Sequence, residues 1–364
     1  MRLFQSCARQ TASGQRCSSI RRPNQSYQIQ PQLAQLARSR HHSTSSDLSF
    51  QGHGVTPSRL DSKAHPLGWQ AIQAQVEPYF RQNWKFPSEK AKQDFFALGF
   101  SQAFSQFFPL TLNERVEGTC KMHYLTLLID DQLEKMNLSD MLLYRERVIR
   151  IANGEESPDR DVCIEWMLSD TLQLMRDIDE VLANDLVEGF CTLLRAMTTE
   201  ERLSVAHLGP YLAAREVDVG RPFYAALIRY GAKLHLSPSE LAQTAALESC
   251  AFRFMGILND IYSWDREWKI YQEDPTDGAQ PFSAVYILAQ ETGLSFAACK
   301  RLLHSYCREL EIVLKQTTEE IERQNLFSYV WELEIVIKQS TEEIKQQNGG
   351  PLTPDIAKSL KSLK

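Results

Sequence analysis

Asn259, Ser263 and Glu267 stand four residues apart in the run Asn-Asp-Ile-Tyr-Ser-Trp-Asp-Arg-Glu. On a helix, steps of four return to nearly the same face, drifting about 40° each, so these side chains form one stripe about 12 Å long. An amide oxygen, a hydroxyl and a carboxylate suit a hard cation such as Mg²⁺, which takes oxygen ligands and keeps waters or substrate phosphates. An exposed polar helix face is the plainer explanation. It accounts poorly for Asn and Ser at positions where Glu, Lys or Ala form helix better. It also leaves unexplained the mostly apolar run 252–258 that leads into the stripe.

A second acidic group lies 129 residues upstream, where the apolar run 124–129 ends in Asp130-Asp131-Gln132-Leu133-Glu134. Asp130 and Glu134 are one turn apart and share a face, while Asp131 points about 100° away. Carboxylates this close repel one another unless a cation neutralises them. Taken alone, the pair fits equally well a helix that ends in solvent. Beside the Asn-Ser-Glu stripe it reads as the other half of one metal cluster.

Together, Asp130-Asp131-x-x-Glu134 and Asn259-Asp260-x-x-Ser263-x-x-x-Glu267 resemble the two metal motifs of class I terpene cyclases. Arg215-Glu216-Val217-Asp218-Val219-Gly220 is similar to the Arg-x-x-Asp-Val-Gly segment of the fungal sesquiterpene cyclases, and it stands 44 residues before Asn259. His65-Pro66-Leu67 and the segment from Trp84 to Ala91 also look like the ascomycete members. The resemblance spans roughly residues 65–310. It implies an all-α fold, a single class I terpenoid synthase helical bundle around a central cavity. It further implies Asp130, Glu134, Asn259, Ser263 and Glu267 as metal ligands, with Arg215 and Arg266 on the substrate diphosphate. On the sequence alone Arg266 is equally well an exposed helix charge.

The activity so implied is ionisation of farnesyl diphosphate, cyclisation of the carbocation to a sesquiterpene and release of diphosphate. Mg²⁺ is the expected cofactor, three ions with substrate bound. Cations and arginines neutralise charge on the leaving diphosphate, so no protein nucleophile is needed. Asp130, Arg215, Asn259, Ser263 and Glu267 form the expected catalytic set. The carbocation needs a dry pocket, and aromatic faces stabilise moving positive charge. Phe96, Phe100, Phe104 and Phe108 fall at successive steps of four, as one stripe of a helix spanning 91–108 would place them. Such a stripe serves core packing as readily as a pocket wall.

The elements that must position these groups are helices. Amphipathic runs recur at 91–108, 114–133, 163–183, 186–197, 222–234, 237–267 and 282–292. No alternating strand series and no glycine-rich phosphate loop is present, which excludes a nucleotide-binding α/β fold. Hydrophobic residues make up 43 % of the 364, enough for a large core, and no apolar segment reaches bilayer-spanning length. The eight cysteines contain no Cys-x-x-Cys pair and read as buried thiols of a reducing compartment. A small-molecule prenyl diphosphate is the expected partner, with no nucleic acid; monomer and homodimer are both consistent.

Both ends depart from this core. Residues 1–64 form a basic leader whose first 46 positions hold seven arginines and no lysine or acid, against a net charge of −6 for the whole chain. Such a segment fits a polar tail on a cytoplasmic enzyme or a mitochondrial transit peptide. At the other end, 305–325 recurs as 328–348, a 23-residue duplication followed by a tail at 349–364. The related cyclases end in an Arg-Tyr pair that binds diphosphate on closure, and none follows Asn348 here. This leaves two alternatives to the sesquiterpene reading. One is a diterpene cyclase acting on geranylgeranyl diphosphate; the other is a catalytically impaired protein that still binds prenyl diphosphate.

Overall fold

The computed structural model describes residues 64–133, 136–199, 205–273 and 281–322. Every element among them is helical: α1 (Trp69–Asn83), α2 (Glu89–Ala97), α3 (Phe100–Phe107), a 3-10 turn (Asn113–Arg115), α4 (Val116–Leu133), α5 (Leu138–Asn153), α6 (Cys163–Ile178), α7 (Glu180–Met197), α8 (Leu208–Asp218), α9 (Arg221–Gly231), α10 (Pro238–Glu273), α11 (Ala284–Thr292) and α12 (Phe296–Glu322). The all-α expectation holds, and no helix among the described residues is long and apolar enough to cross a membrane. Cys120, Cys191, Cys250, Cys299 and Cys307 are buried free thiols and Cys163 is half-buried. The leader at 1–63, Glu134 and the second repeat copy at 328–348 lie outside the described residues.

Helix α9 organises the bundle, packing against α4, α7, α8 and α10. Its sequence explains this central place: Phe223, Tyr224, Ala225, Ala226, Leu227, Ile228 and Tyr230 are all buried, so it has no broad solvent face. On one side α4 carries α1, α3 and α6; on the other α10 carries α8, α11 and α12. Helix α4 is likewise buried almost all round, from Val116 through Asp130.

Two expected helices are each broken in two. The run 91–108 splits at Leu98–Gly99, because Gly99 takes the left-handed conformation (φ 71°) that ends one helix and opens the next. The four phenylalanines therefore do not share one stripe. Phe96 packs under the Arg81 guanidinium, 3.7 Å from its ring centre. Phe104 instead stacks on Phe108 at 4.9 Å, beyond the end of α3. The run 163–183 breaks at Asp179, whose side chain accepts from Leu182 N–H and starts α7. The same carboxylate receives Arg115 at 2.8 Å and His235 at 2.9 Å, so a three-element clamp overrides the apolar period.

Candidate active site

Asn259 and Ser263 are each 1 % exposed and Glu267 is half-buried, so the stripe on α10 faces inward along most of its length. An aromatic cluster fixes that orientation. Trp264, one position beyond Ser263, packs against Phe296 at 4.6 Å and Trp268 at 5.3 Å, and near Tyr286, pinning α10 to α11 and α12. Ser263 Oγ is buried and has no hydrogen-bond partner among the described residues. A buried orphan hydroxyl costs on the order of 1–3 kcal/mol, and a bound cation is what would relieve it. The donor set thus fits a hard divalent ion, in the way the spacing suggested.

Arg215 meets this stripe from α8. It is 1 % exposed, and its Nη2 donates to Asn259 Oδ1 at 2.8 Å and to Asp260 Oδ1 at 3.0 Å. Its Nη1 donates to the Asp218 carboxylate on the next turn of the same helix. Burial opposes the guanidinium charge, but Asp260, Tyr211 and Asp218 together hold its pKa well above the ordinary value. Gly256 gives the side chain its path: a Cβ there would stand 3.0 Å from Arg215 Cγ. Gly220, left-handed at φ 99°, then turns the chain from α8 into α9, and a Cβ there would strike the Tyr224 ring at 2.9 Å.

Asp260 is a site residue that sequence reasoning passed over. Its carboxylate accepts from Arg215, from the Tyr211 hydroxyl and from Ala284 N–H at 2.8 Å, joining α8, α10 and the start of α11. Burial pushes its pKa up to about 6, against the pull of these three donors. The signal available was an acid adjacent to Asn259, turned about 100° from the ligand stripe.

On the other side of α9, Asp130 is buried near the end of α4 while Asp131 is half-buried, as the 100° offset between neighbours requires. Glu134 lies outside the described residues, so the shared Asp130–Glu134 face is an expectation only. Arg266 is half-buried. Asp131→Ala is expected to reduce metal-dependent turnover several-fold less than Asp130→Ala, as steady-state kinetics at saturating metal would show. Equal losses would mean that the inward face was misassigned.

A second residue missed in the sequence is His123, two turns before Asp130 on the same face of α4. It is fully buried, Tyr224 Oη lies 3.3 Å from its Nδ1, and Phe108 meets its ring edge-on at 5.9 Å. Burial pulls its pKa down to about 3, so the imidazole is neutral at ordinary pH. The unfolded chain binds that proton below about 6.5 and the folded one does not, so stability is lost as pH falls from there towards 3, by up to about 1.4 kcal/mol per unit. His123→Phe should therefore flatten the acid limb of a urea-midpoint series run between pH 7 and pH 4. An unchanged limb would place the titration elsewhere.

Comparison with known proteins agrees with the all-α fold. Residues 121–311 match the family model described as terpene synthase family 2, C-terminal metal binding. The chain is 36 % identical to aristolochene synthase of Aspergillus terreus over 256 residues, covering 70 % of this chain and 80 % of that one. It is 39 % identical to aristolochene synthase of Penicillium roqueforti over 264 residues, covering 72 % and 77 %. The crystal structure of the Penicillium roqueforti enzyme superposes with a TM-score of 0.70 at 35 % identity, covering 79 % of this chain and 98 % of that one. Hedycaryol synthase in complex with nerolidol shares the fold alone, with a TM-score of 0.62 at 18 % identity, covering 79 % and 96 %.

Proposed function

The chain belongs to the class I terpene synthases, and from that premise we propose that it ionises farnesyl diphosphate in a Mg²⁺-dependent step and cyclises the cation to a sesquiterpene. The observation that carries this reading is the inward stripe of Asn259, Ser263 and Glu267 with the Arg215 guanidinium already seated on it. Aristolochene synthases at 36 % and 39 % identity support the fifteen-carbon substrate.

In this reading Asn259, Ser263 and Glu267 on α10, with Asp130 on α4 and Glu134 following it in the sequence, hold the cations. Bound there, Mg²⁺ supplies Lewis-acid neutralisation of the leaving diphosphate. Arg215 donates its N–H groups to the diphosphate oxygens, and its planar fork suits that geometry. Arg266 adds a second positive charge. Asp218 and Asp260 keep the Arg215 guanidinium charged and aimed, so the site needs little reorganisation when charge develops on the diphosphate. The apolar and aromatic side chains of α3, α4 and α9 keep water from the cation, and ring faces such as those of Phe108 and Tyr224 stabilise it. The buried free thiols suit a reducing compartment, which supports a cytoplasmic site of action.

Incubating the full chain with geranyl, farnesyl and geranylgeranyl diphosphates, with and without Mg²⁺, tests this directly. Metal-dependent diphosphate release from the farnesyl substrate, with a cyclic hydrocarbon in the volatile fraction, is expected. Preferential turnover of the twenty-carbon substrate would replace the reading with a diterpene cyclase. Binding without turnover of any substrate would replace it with an impaired enzyme.

A further inference from the structure

Helix α12 lies in a groove formed by α10 and α11, and its contacts run antiparallel to α10. Phe296 meets Trp264 at 4.6 Å, Lys300 donates to Asp265 at 2.7 Å, and Cys250 donates to the Leu310 carbonyl at 3.5 Å. Tyr306 accepts from Arg253, which in turn donates to the Glu216 carboxylate at 2.9 Å. From there on, the groove side of α12 is the buried row Cys307, Leu310, Leu314, Thr318 and Ile321. All of these belong to the first copy of the duplicated segment. In the second copy, 23 positions later, stand Val330, Leu333, Ile337, Thr341 and Ile344, with Tyr329 as the counterpart of Tyr306. Only Cys307 and Leu314 differ from their counterparts in that row, and each change keeps an apolar side chain of similar size. The side chains that fill the groove are thus present twice in one chain. A straight continuation of α12 would not bring the second set to it, because 23 residues leave a helix turned by about 140°.

We propose that the α10–α11 groove accepts either copy of the duplicated segment, so that 328–348 is a reserve occupant that takes the place of the first copy when that copy is displaced or lost. The inference concerns the fold and does not depend on the cyclase reading. Both copies offer the groove the same order of side chains, and a volume-conserving swap shifts an equilibrium by less than about tenfold. What ranks the two occupants is their connection. With the first copy seated, the helix runs unbroken from Phe296 to Glu322. Seating the second sends 23 residues out as a loop between His304 and Ser328. Closing a loop of that length costs on the order of 10²-fold, as the three-halves power of its length. The first copy is therefore the resident and the second the reserve. The exchange leaves the proposed ligand stripe in place, because α12 packs on the Trp264–Trp268 side of α10.

The test follows urea unfolding of the full chain by far-ultraviolet circular dichroism. It needs no substrate, so its outcome is separate from that of the cyclase assay. Deleting 305–327 joins His304 to Ser328 and carries the second copy into the groove in register. That variant should still unfold cooperatively, with a folding equilibrium constant within about 10²-fold of the parent, the two swaps combined. Point substitutions probe the exchange with the chain length unchanged. Ile337→Asp alone should alter the folding constant less than about twofold, because the resident copy fills the groove. In a Leu314→Asp background the reserve copy is needed, so adding Ile337→Asp should lower the constant at least about tenfold further. Such coupling between distant substitutions is what two occupants of one groove require. Loss of cooperative unfolding in the deletion variant would overturn the proposal. So would an Ile337→Asp effect of the same size in both backgrounds.

Discussion

Asn259→Ala and Glu267→Ala should each lower metal-dependent diphosphate release by at least about 10²–10³-fold, the range seen when one preorganised group facing a developing charge is removed. Far-ultraviolet circular dichroism should stay close to the parent, because α10 is held by Trp264, Phe296 and Trp268 on its other face and not by its ligand stripe. Ser263→Ala is a sharper probe. Its hydroxyl has no protein partner among the described residues, so removing it takes away an orphan polar atom. A variant that is unchanged or slightly stabilised yet binds metal and diphosphate poorly would be the signature of a group kept for a ligand. Turnover within a factor of two of the parent in any of the three would overturn the ligand assignment.

Asp260→Ala should be the most damaging substitution for the fold. It strips the acceptor from Arg215, Tyr211 and Ala284 at once and leaves a buried guanidinium short of a counter-charge. Breaking a buried pair from one side costs about 3–5 kcal/mol, which for a chain of this size corresponds to roughly 4–7 °C in Tm. Diphosphate affinity should fall as well, because Arg215 loses one of the groups that aims it. Tyr211→Phe removes one donor and leaves Arg215 seated, so it should cost only about 1 kcal/mol and little turnover. Calorimetric melting of the two variants separates these outcomes. Similar losses in both would mean that the tyrosine hydroxyl, and not the arginine, is what Asp260 serves.

The inward placement of Asn259, Ser263 and Arg215 was legible in the sequence because it is local. Four-residue spacing puts Asn259, Ser263 and Glu267 on one face whatever else the chain does. Asp260 was harder to see, since its meaning comes from Arg215 at 45 residues' distance and from a backbone N–H on a third helix. The helix breaks were hidden for a different reason. Apolar residues keep their period straight through Gly99, and only that residue's left-handed backbone divides α2 from α3. At Asp179 the competing term is tertiary, because Arg115 and His235 stabilise a cap that periodicity cannot report. Helix α1, with Ile72, Val76 and Phe80 at steps of four, forms although Pro78 lies within it.

Helix α10 runs two tracks side by side. Positions 259, 263 and 267 form the proposed ligand stripe, and 260, 264 and 268 bind the helix to its neighbours. The tracks differ by one residue, so inserting or deleting one residue between Gly256 and Trp268 would turn the remainder of the helix by about 100°. Indoles would then point where ligands belong, and ligands would point at the core. This stretch can therefore diverge by substitution but not by length. The 23-residue duplication at 305–348 begins after Trp268, so it leaves the spacing of both tracks unchanged.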